Sequence, residues 1–168
     1  MVFACDCASG TPGDDAPNEY QVKAAFMYNF TNYIEWPPRS AGPEGGPFVI
    51  GLTEPNAFGS VLADIVTGKM VGKRPVNVVN VKTTKDLTGC QMVFVDARCT
   101  LLTELLETCH TKGILTVGDG LGFLDLGGMI AFSLEDKRVR FAVHLGAARA
   151  AGLTISSHLL RLATTVRR

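Results

Sequence analysis

Apolar residues in this chain recur with two periods. From Asn18 to Trp36 the period is helical: at about 100° per residue Val22, Phe26, Met27, Phe30, Tyr33 and Ile34 share one arc, opposite Gln21, Tyr28, Thr31, Asn32 and Glu35. Pro17 or Asn18 supplies a start and Pro37-Pro38 a stop, because proline cannot donate to the preceding turn. An arc this wide predicts a helix laid over a sheet, with Trp36 as an anchoring indole at its end.

Short continuous apolar runs follow. Phe48–Leu52 reads as a buried strand ending in Thr53-Glu54-Pro55, and Asn56 caps a helix over 57–66 that stops at Gly68. Lys69 to Arg74 reads as a solvated turn, and Val76, Val78, Val79 and Val81 mark the next strand. Gln91–Val95 is another strand, ending in Asp96 and Arg98. Thr100 caps a helix carrying Leu101, Leu102, Leu105 and Leu106, which closes at Gly113 before the strand Ile114–Val117. Strands that are apolar throughout and alternate with helices predict parallel pairing with both faces covered.

After the glycines Gly118, Gly120 and Gly122 the period changes to two. Residues 129–134 and 138–143 alternate across Glu135-Asp136-Lys137, which requires an antiparallel hairpin. One hairpin face joins the core; the other carries Arg138 and Arg140, candidates for partner contact. A last helix, after Gly152 and Thr154, places Ile155, Leu159, Leu162, Ala163 and Val166 inward. The expected fold is α/β: a three-layer α/β/α domain over 18–168, its mostly parallel sheet ending in an antiparallel hairpin. Residues 1–17 form a flexible lead-in rich in small, acidic, Gly and Pro residues.

Composition narrows the function. Lys plus Arg and Asp plus Glu are both 16, so no global field draws nucleic acid. No apolar run of ~18 residues is present to span a membrane. The opening residues lack the charged start and apolar stretch of a secretory signal, leaving a cytosolic protein or one whose signal was removed.

Candidate chemistry is sparse. Five cysteines cannot all pair internally, and Cys5-x-Cys7 without a nearby histidine is no zinc pattern. Cys90 begins its strand and Cys109 ends the helix that returns antiparallel to it, so both lie at one end of the unit, whereas Cys99 follows the strand's far end. Cys90–Cys109 is thus the favoured pair if a bridge forms, with free buried thiols the other reading. Cys109-His110 does not make a nucleophile and base, because helix neighbours project about 100° apart. Gly118-Asp119-Gly120-Leu121-Gly122 satisfies neither a dinucleotide fingerprint nor a phosphate loop and reads as a corner. No cofactor is expected.

The blocks Glu19–Phe30 with Glu35-Trp36-Pro37, Phe58-Gly59, Gly89–Phe94, Leu115–Asp119, Gly127–Phe132, Val139–Phe141, Ala150–Ser157 and Leu159–Ala163 occur in one order. Together they resemble the YfiR-like family, periplasmic repressors of membrane-bound diguanylate cyclases. The resemblance implies an exported, often dimeric, non-catalytic α/β domain. It implies binding to the periplasmic sensory domain of a diguanylate cyclase, with an outer-membrane lipoprotein able to sequester the repressor and raise cyclic di-GMP. Better-known members pair a cysteine of the first strand with the one in the Gly-Cys block; here Phe48–Leu52 has none, and His144 stands where asparagine is common. The alternative function is a small-ligand sensor using the crevice beyond the strand carboxyl ends, where Thr53, Glu54, Asp96, Arg98 and Asp119 project.

Overall fold

A computed structural model describes residues 19–54 and 58–168. Its largest element is an eight-stranded sheet. The parallel centre consists of β2 (Phe48–Thr53), β4 (Arg74–Val81), β5 (Met92–Val95), β6 (Leu115–Asp119) and β7 (Ile130–Glu135). β8 (Arg138–His144) returns antiparallel to β7, β10 (Thr165–Arg167) runs parallel to β8, and the two-residue β3 (Met70–Val71) pairs antiparallel with β4 at the opposite edge. The spatial order is β10-β8-β7-β6-β5-β2-β4-β3. A separate ribbon joins β1 (Ile34–Glu35) to β9 (Thr154–Ile155).

Alternation along the strands divides the core in two, as a sheet covered on both faces requires. Ile50, Leu52, Met92, Phe94, Leu115, Val117, Ile130, Phe132, Phe141 and Val143 point to one side. There they meet Met27 and Phe30 of α1 (Glu19–Phe30), Leu62 of α2 (Gly59–Val66), Ala148 of α5 (Leu145–Ala150) and Leu159 of α6 (Ser157–Leu162). Val93, Val95, Ala131 and Ala142 point to the other side, against Leu105, Leu106 and Cys109 of α3 (Leu102–Lys112) and Phe123 and Leu124 of α4 (Gly122–Asp125). The expected three-layer α/β class is the observed one.

The glycine-rich corner has a packing reason as well as a conformational one. Gly120 and Gly127 adopt φ of 82° and 104°, open to glycine and rarely to other residues. The Phe123 ring lies flat over the corner: a Cβ at Gly118 would stand 2.8 Å from it, and one at Gly128 2.2 Å. In the hairpin, Glu135 still pairs with Arg138, so the turn is only Asp136-Lys137, with φ of 49° and 64°. Positive φ at both centres matches the right-handed twist of the flanking strands.

Four expectations are corrected. α1 ends at Phe30, not Trp36: the poor helix formers Thr31 and Asn32 follow, the Thr31 hydroxyl bonds back to the Tyr28 carbonyl (2.6 Å), and Ile34-Glu35 extends to pair with β9. α1 is also enclosed on more sides than its apolar arc indicates, since Tyr28 on the opposite side is half-buried and its hydroxyl donates to the Met70 carbonyl at 2.9 Å. Thr100 is not the cap of α3; Leu101 precedes it without a side-chain cap. The final helix stops at Leu162, which is exposed, and 165–167 become β10, because β-branched Thr164, Thr165 and Val166 meet the open edge of β8. The Asn18 and Asn56 caps and the lead-in fall outside the described residues.

Candidate functional site

β2 has β4 on one side and β5, β6 and β7 on the other, so strand order reverses at the carboxyl ends of β2 and β5. Thr53, Glu54, Asp96, Arg98 and Asp119 all lie at that end, as their strand positions require. Three of them, Thr53, Asp96 and Arg98, are committed to one another. Buried Thr53 accepts from the Asp96 amide (2.8 Å). Asp96 accepts from the Arg98 amide and from its guanidinium (2.8 and 3.0 Å), and this hydrogen bonding to Arg98 holds the Asp96 carboxyl below the ordinary range. A cavity of about 190 Å³ opens on the α3 side, lined by Glu54, Val81, Lys82, Cys99, Thr100, Leu101 and Leu105.

Asp119 is held by a residue that periodicity alone hides. Lys23 lies on the sheet-facing side of α1, only 4% exposed, and reaches both Glu19 and Asp119, the latter at 2.7 Å. Burial by itself lowers the Lys23 pKa. The hydrogen bonds to Asp119 and Glu19, with their charges, outweigh it and leave the ammonium above the ordinary lysine value. This bridge fixes the amino end of α1 over the carboxyl end of β6. Tyr20 stands beside it, its ring 5.6 Å from the Lys23 Nζ and 5.8 Å from the Phe58 ring.

The opposite end of the sheet is organised by Gln91, a second buried polar residue that an apolar run conceals. Its Oε1 accepts from the Val49 amide (2.7 Å), its Nε2 donates to the Ser40 and Gly89 carbonyls (2.7 and 3.1 Å), and its own carbonyl accepts from the Trp36 indole (2.5 Å). Trp36 thus anchors the segment after α1, stacking edge-on against Phe48 at 5.1 Å.

Cys90 and Cys109 lie buried as thiols in the core between α3, which carries Cys109, and the sheet, and Cys99 is half-buried. Burial pushes the Cys90 thiol up to about 11, with Asp86 adding to it; burial and then Cys90 itself push Cys109 higher still. The β2 position facing Cys90 is Gly51: a Cβ built there would stand 3.4 Å from the Cys90 sulfur. β2 therefore offers no cysteine at the position that could meet Cys90. A protonated, buried thiol is a poor nucleophile, and His110 Nε2 is engaged with the Gly127 carbonyl at 2.9 Å. Cys109-His110 accordingly makes no catalytic pair.

Arg138 and Arg140 are exposed on β8, opposite Glu135 and Ser133, on the face turned away from Val139 and Phe141. His144 accepts from the Ala147 amide through Nδ1 (3.0 Å) and so caps α5, a task asparagine performs equally well. Among the described residues no group of three or more His, Cys, Asp or Glu stands ready to hold a metal, and no helix is long and apolar enough to cross a membrane.

Compared with known proteins, residues 20–164 match the model of the YfiR/HmsC-like family, from α1 to the end of α6. The chain belongs to the YfiR/HmsC-like family. This is a family of periplasmic regulators, generally non-enzymatic. None of the curated proteins compared with the chain matches it. Among solved structures, a conserved domain protein from Vibrio cholerae O1 biovar eltor is similar at a TM-score of 0.57 and 9% identity, over 89% of this chain and 60% of that one. The ABC domain in complex with L-Trp from Streptococcus pneumonia is similar at 0.56 and 10% identity, over 88% and 60%. The YfiR/HmsC-like chain thus spans about 60% of each of these proteins, and the likeness is one of fold.

Proposed function

We propose that this chain is a periplasmic regulator that binds the sensory domain of an inner-membrane diguanylate cyclase and holds the enzyme inactive, lowering cyclic di-GMP. The observation that carries the reading is the family match running through nearly the whole domain. The site chemistry agrees with a protein that works by binding: the thiols between α3 and the sheet are buried and protonated, and Thr53, Asp96, Arg98 and Asp119 at the strand ends already have partners. In this reading an outer-membrane lipoprotein sequesters the regulator, which acts as a homodimer, and Arg138 and Arg140 offer an exposed contact. Pull-down of purified periplasmic sensory domains, followed by diguanylate cyclase activity in reconstituted membranes, tests it. Capture with loss of activity is expected; no complex with any such domain at concentrations tens of times above micromolar overturns it.

A small-ligand sensor is the second reading, supported by the cavity beside Glu54 and Lys82 at the strand carboxyl ends. The L-Trp complex of the pneumococcal domain with the same fold makes amino acids a sensible first set. A ligand at 100 times its dissociation constant adds about 2.7 kcal/mol of stability, readable as a thermal shift. No shift across amino acids and common metabolites removes this reading.

A further inference from the structure

The two edges of the large sheet are finished differently. At one, β10 pairs along β8 and is tied to α4 by an Arg167–Asp125 ion pair. At the other, β3 covers only Arg74 and Pro75 of β4. The Val76 amide turns away from β2 to meet the Lys69 carbonyl at 3.2 Å. By strand alternation the N–H and C=O groups of Val78 and Asn80 face the same way. Among the described residues no strand pairs with them.

Edges like this are normally blunted by lysine, proline or a bulge. From Val76 to Val81 the sequence is Val-Asn-Val-Val-Asn-Val, with none of these, and Val79 is 36% exposed. Beside the edge a groove of about 250 Å³ lies between α2 and β4, walled by Ala63, Val66, Val76 and Val78. It is placed to receive alternate side chains of an added strand.

Charge selects the occupant. Lys69 and Lys73 stand exposed at the amino end of β4, and Lys82 and Lys85 at its carboxyl end. The acidic residues of the flanking elements are Asp64 on α2, Glu54 at the end of β2 and so one strand in from the edge, and Asp86, whose carboxylate accepts from the Lys82 and Thr83 amides. A second copy pairing antiparallel through β4 would set the basic amino end of one strand against the basic carboxyl end of the other. Opposed like charges across a sheet are destabilising. A strand with acidic residues at both ends meets no such opposition.

We propose that the β4 edge is a strand-addition site for an extended segment of a partner protein, uncharged and β-branched over about six residues and acidic at both ends. The proposal rests on the reading that this chain acts by binding another protein, and names the surface and the partner's local chemistry. Main-chain hydrogen bonds to Val78 and Asn80 supply register, and the flanking lysines supply selectivity.

The test uses the whole chain and two blocked synthetic peptides, Glu-Glu-Val-Thr-Val-Thr-Val-Glu-Glu and the same core flanked by lysines. Binding is followed by fluorescence anisotropy and by amide NMR. The glutamate peptide is expected to bind at least tenfold more tightly than the lysine peptide, to shift the Val78 and Asn80 amides, and to lose at least tenfold in affinity on Val79→Lys. Asn77→Lys, on the same exposed side, is the second variant if the first folds poorly. Equal binding of both peptides, shifts confined elsewhere, or a dimer that Val79→Lys dissociates in the absence of peptide binding would each overturn the proposal. A cyclase sensory domain that binds wild type and Val79→Lys alike overturns the edge site and leaves the repressor reading standing. Peptide binding without capture of any sensory domain does the reverse.

Discussion

The two faces of the sheet are packed by opposite means. Under α1 the contact is aromatic and large: Phe26 and Phe30 meet Phe132 and Phe141 with ring centroids 5.2–6.1 Å apart. Under α3 and α4 the strands present Val93, Val95, Ala131, Ala142 and Gly118, Cys109 comes in from α3, and one ring, Phe123, fills the space over Gly118 where a side chain is absent. The first face is stabilised by the volume it contains. The second depends on volume it lacks. Truncation should therefore damage one and enlargement the other.

The largest effect expected is Phe30→Ala, which removes a fully buried ring from the aromatic cluster and should lower unfolding free energy by about 3–5 kcal/mol in urea titrations. Gly128→Ala adds a single methyl group on the other face yet collides with Phe123, and about 1–3 kcal/mol should be lost. Pairing it with Phe123→Leu should recover part of that loss. If the pair is merely additive, the packing contrast between the faces is wrong.

Lys23→Met tests the polar rim of the first face. It frees Asp119, whose side chain is 38% exposed, so the loss should fall below that of a fully buried pair, at about 1–2 kcal/mol at neutral pH. The Lys23 pKa is raised in the folded state, so its contribution is fully present below the unfolded value near 10.5 and is lost as pH climbs through the raised one. The gap between wild type and variant should accordingly close in alkaline urea titrations and stay unchanged between pH 6 and pH 9. The smallest effect concerns the thiols. In a Cys5→Ser, Cys7→Ser background at about pH 8, Ellman's reagent should modify Cys99 first and reach Cys90 and Cys109 only on unfolding, because both are buried and protonated there. Fast modification of all three would place the second cluster open to solvent.

The strand carboxyl ends were legible because each apolar run stops in a polar residue, and the hairpin because its period is two. Lys23 and Gln91 were not, since what buries a polar side chain is a partner far away in sequence: Asp119 for one, the Ser40 and Val49 backbone for the other. Periodicity assigns such residues to a helix or strand but carries no sign of the partner. β10 was misread for a related reason. Leu159 and Leu162 set a helical period that runs on to Val166, and only the unpaired edge of β8 converts the last residues into a strand. The open edge of β4 was equally invisible, because Val-Asn-Val-Val-Asn-Val reads the same whether a neighbour covers it or not.

The ribbon of β1 and β9 has a consequence for the order of folding. Its Ile34–Ile155 pairing joins the segment after the first helix to the segment before the last one, closing almost the whole domain into a loop. Contacts between such distant residues carry the largest closure entropy and form after local units have condensed. The βα units can therefore assemble as the chain grows, while the ribbon acts as a clasp that shuts only when the last elements have arrived. Until then the Tyr33 carbonyl lacks its bond from the Ser156 amide and the Tyr33 ring its stacking partner His158, so the turn that follows α1 is the last part of that segment to settle.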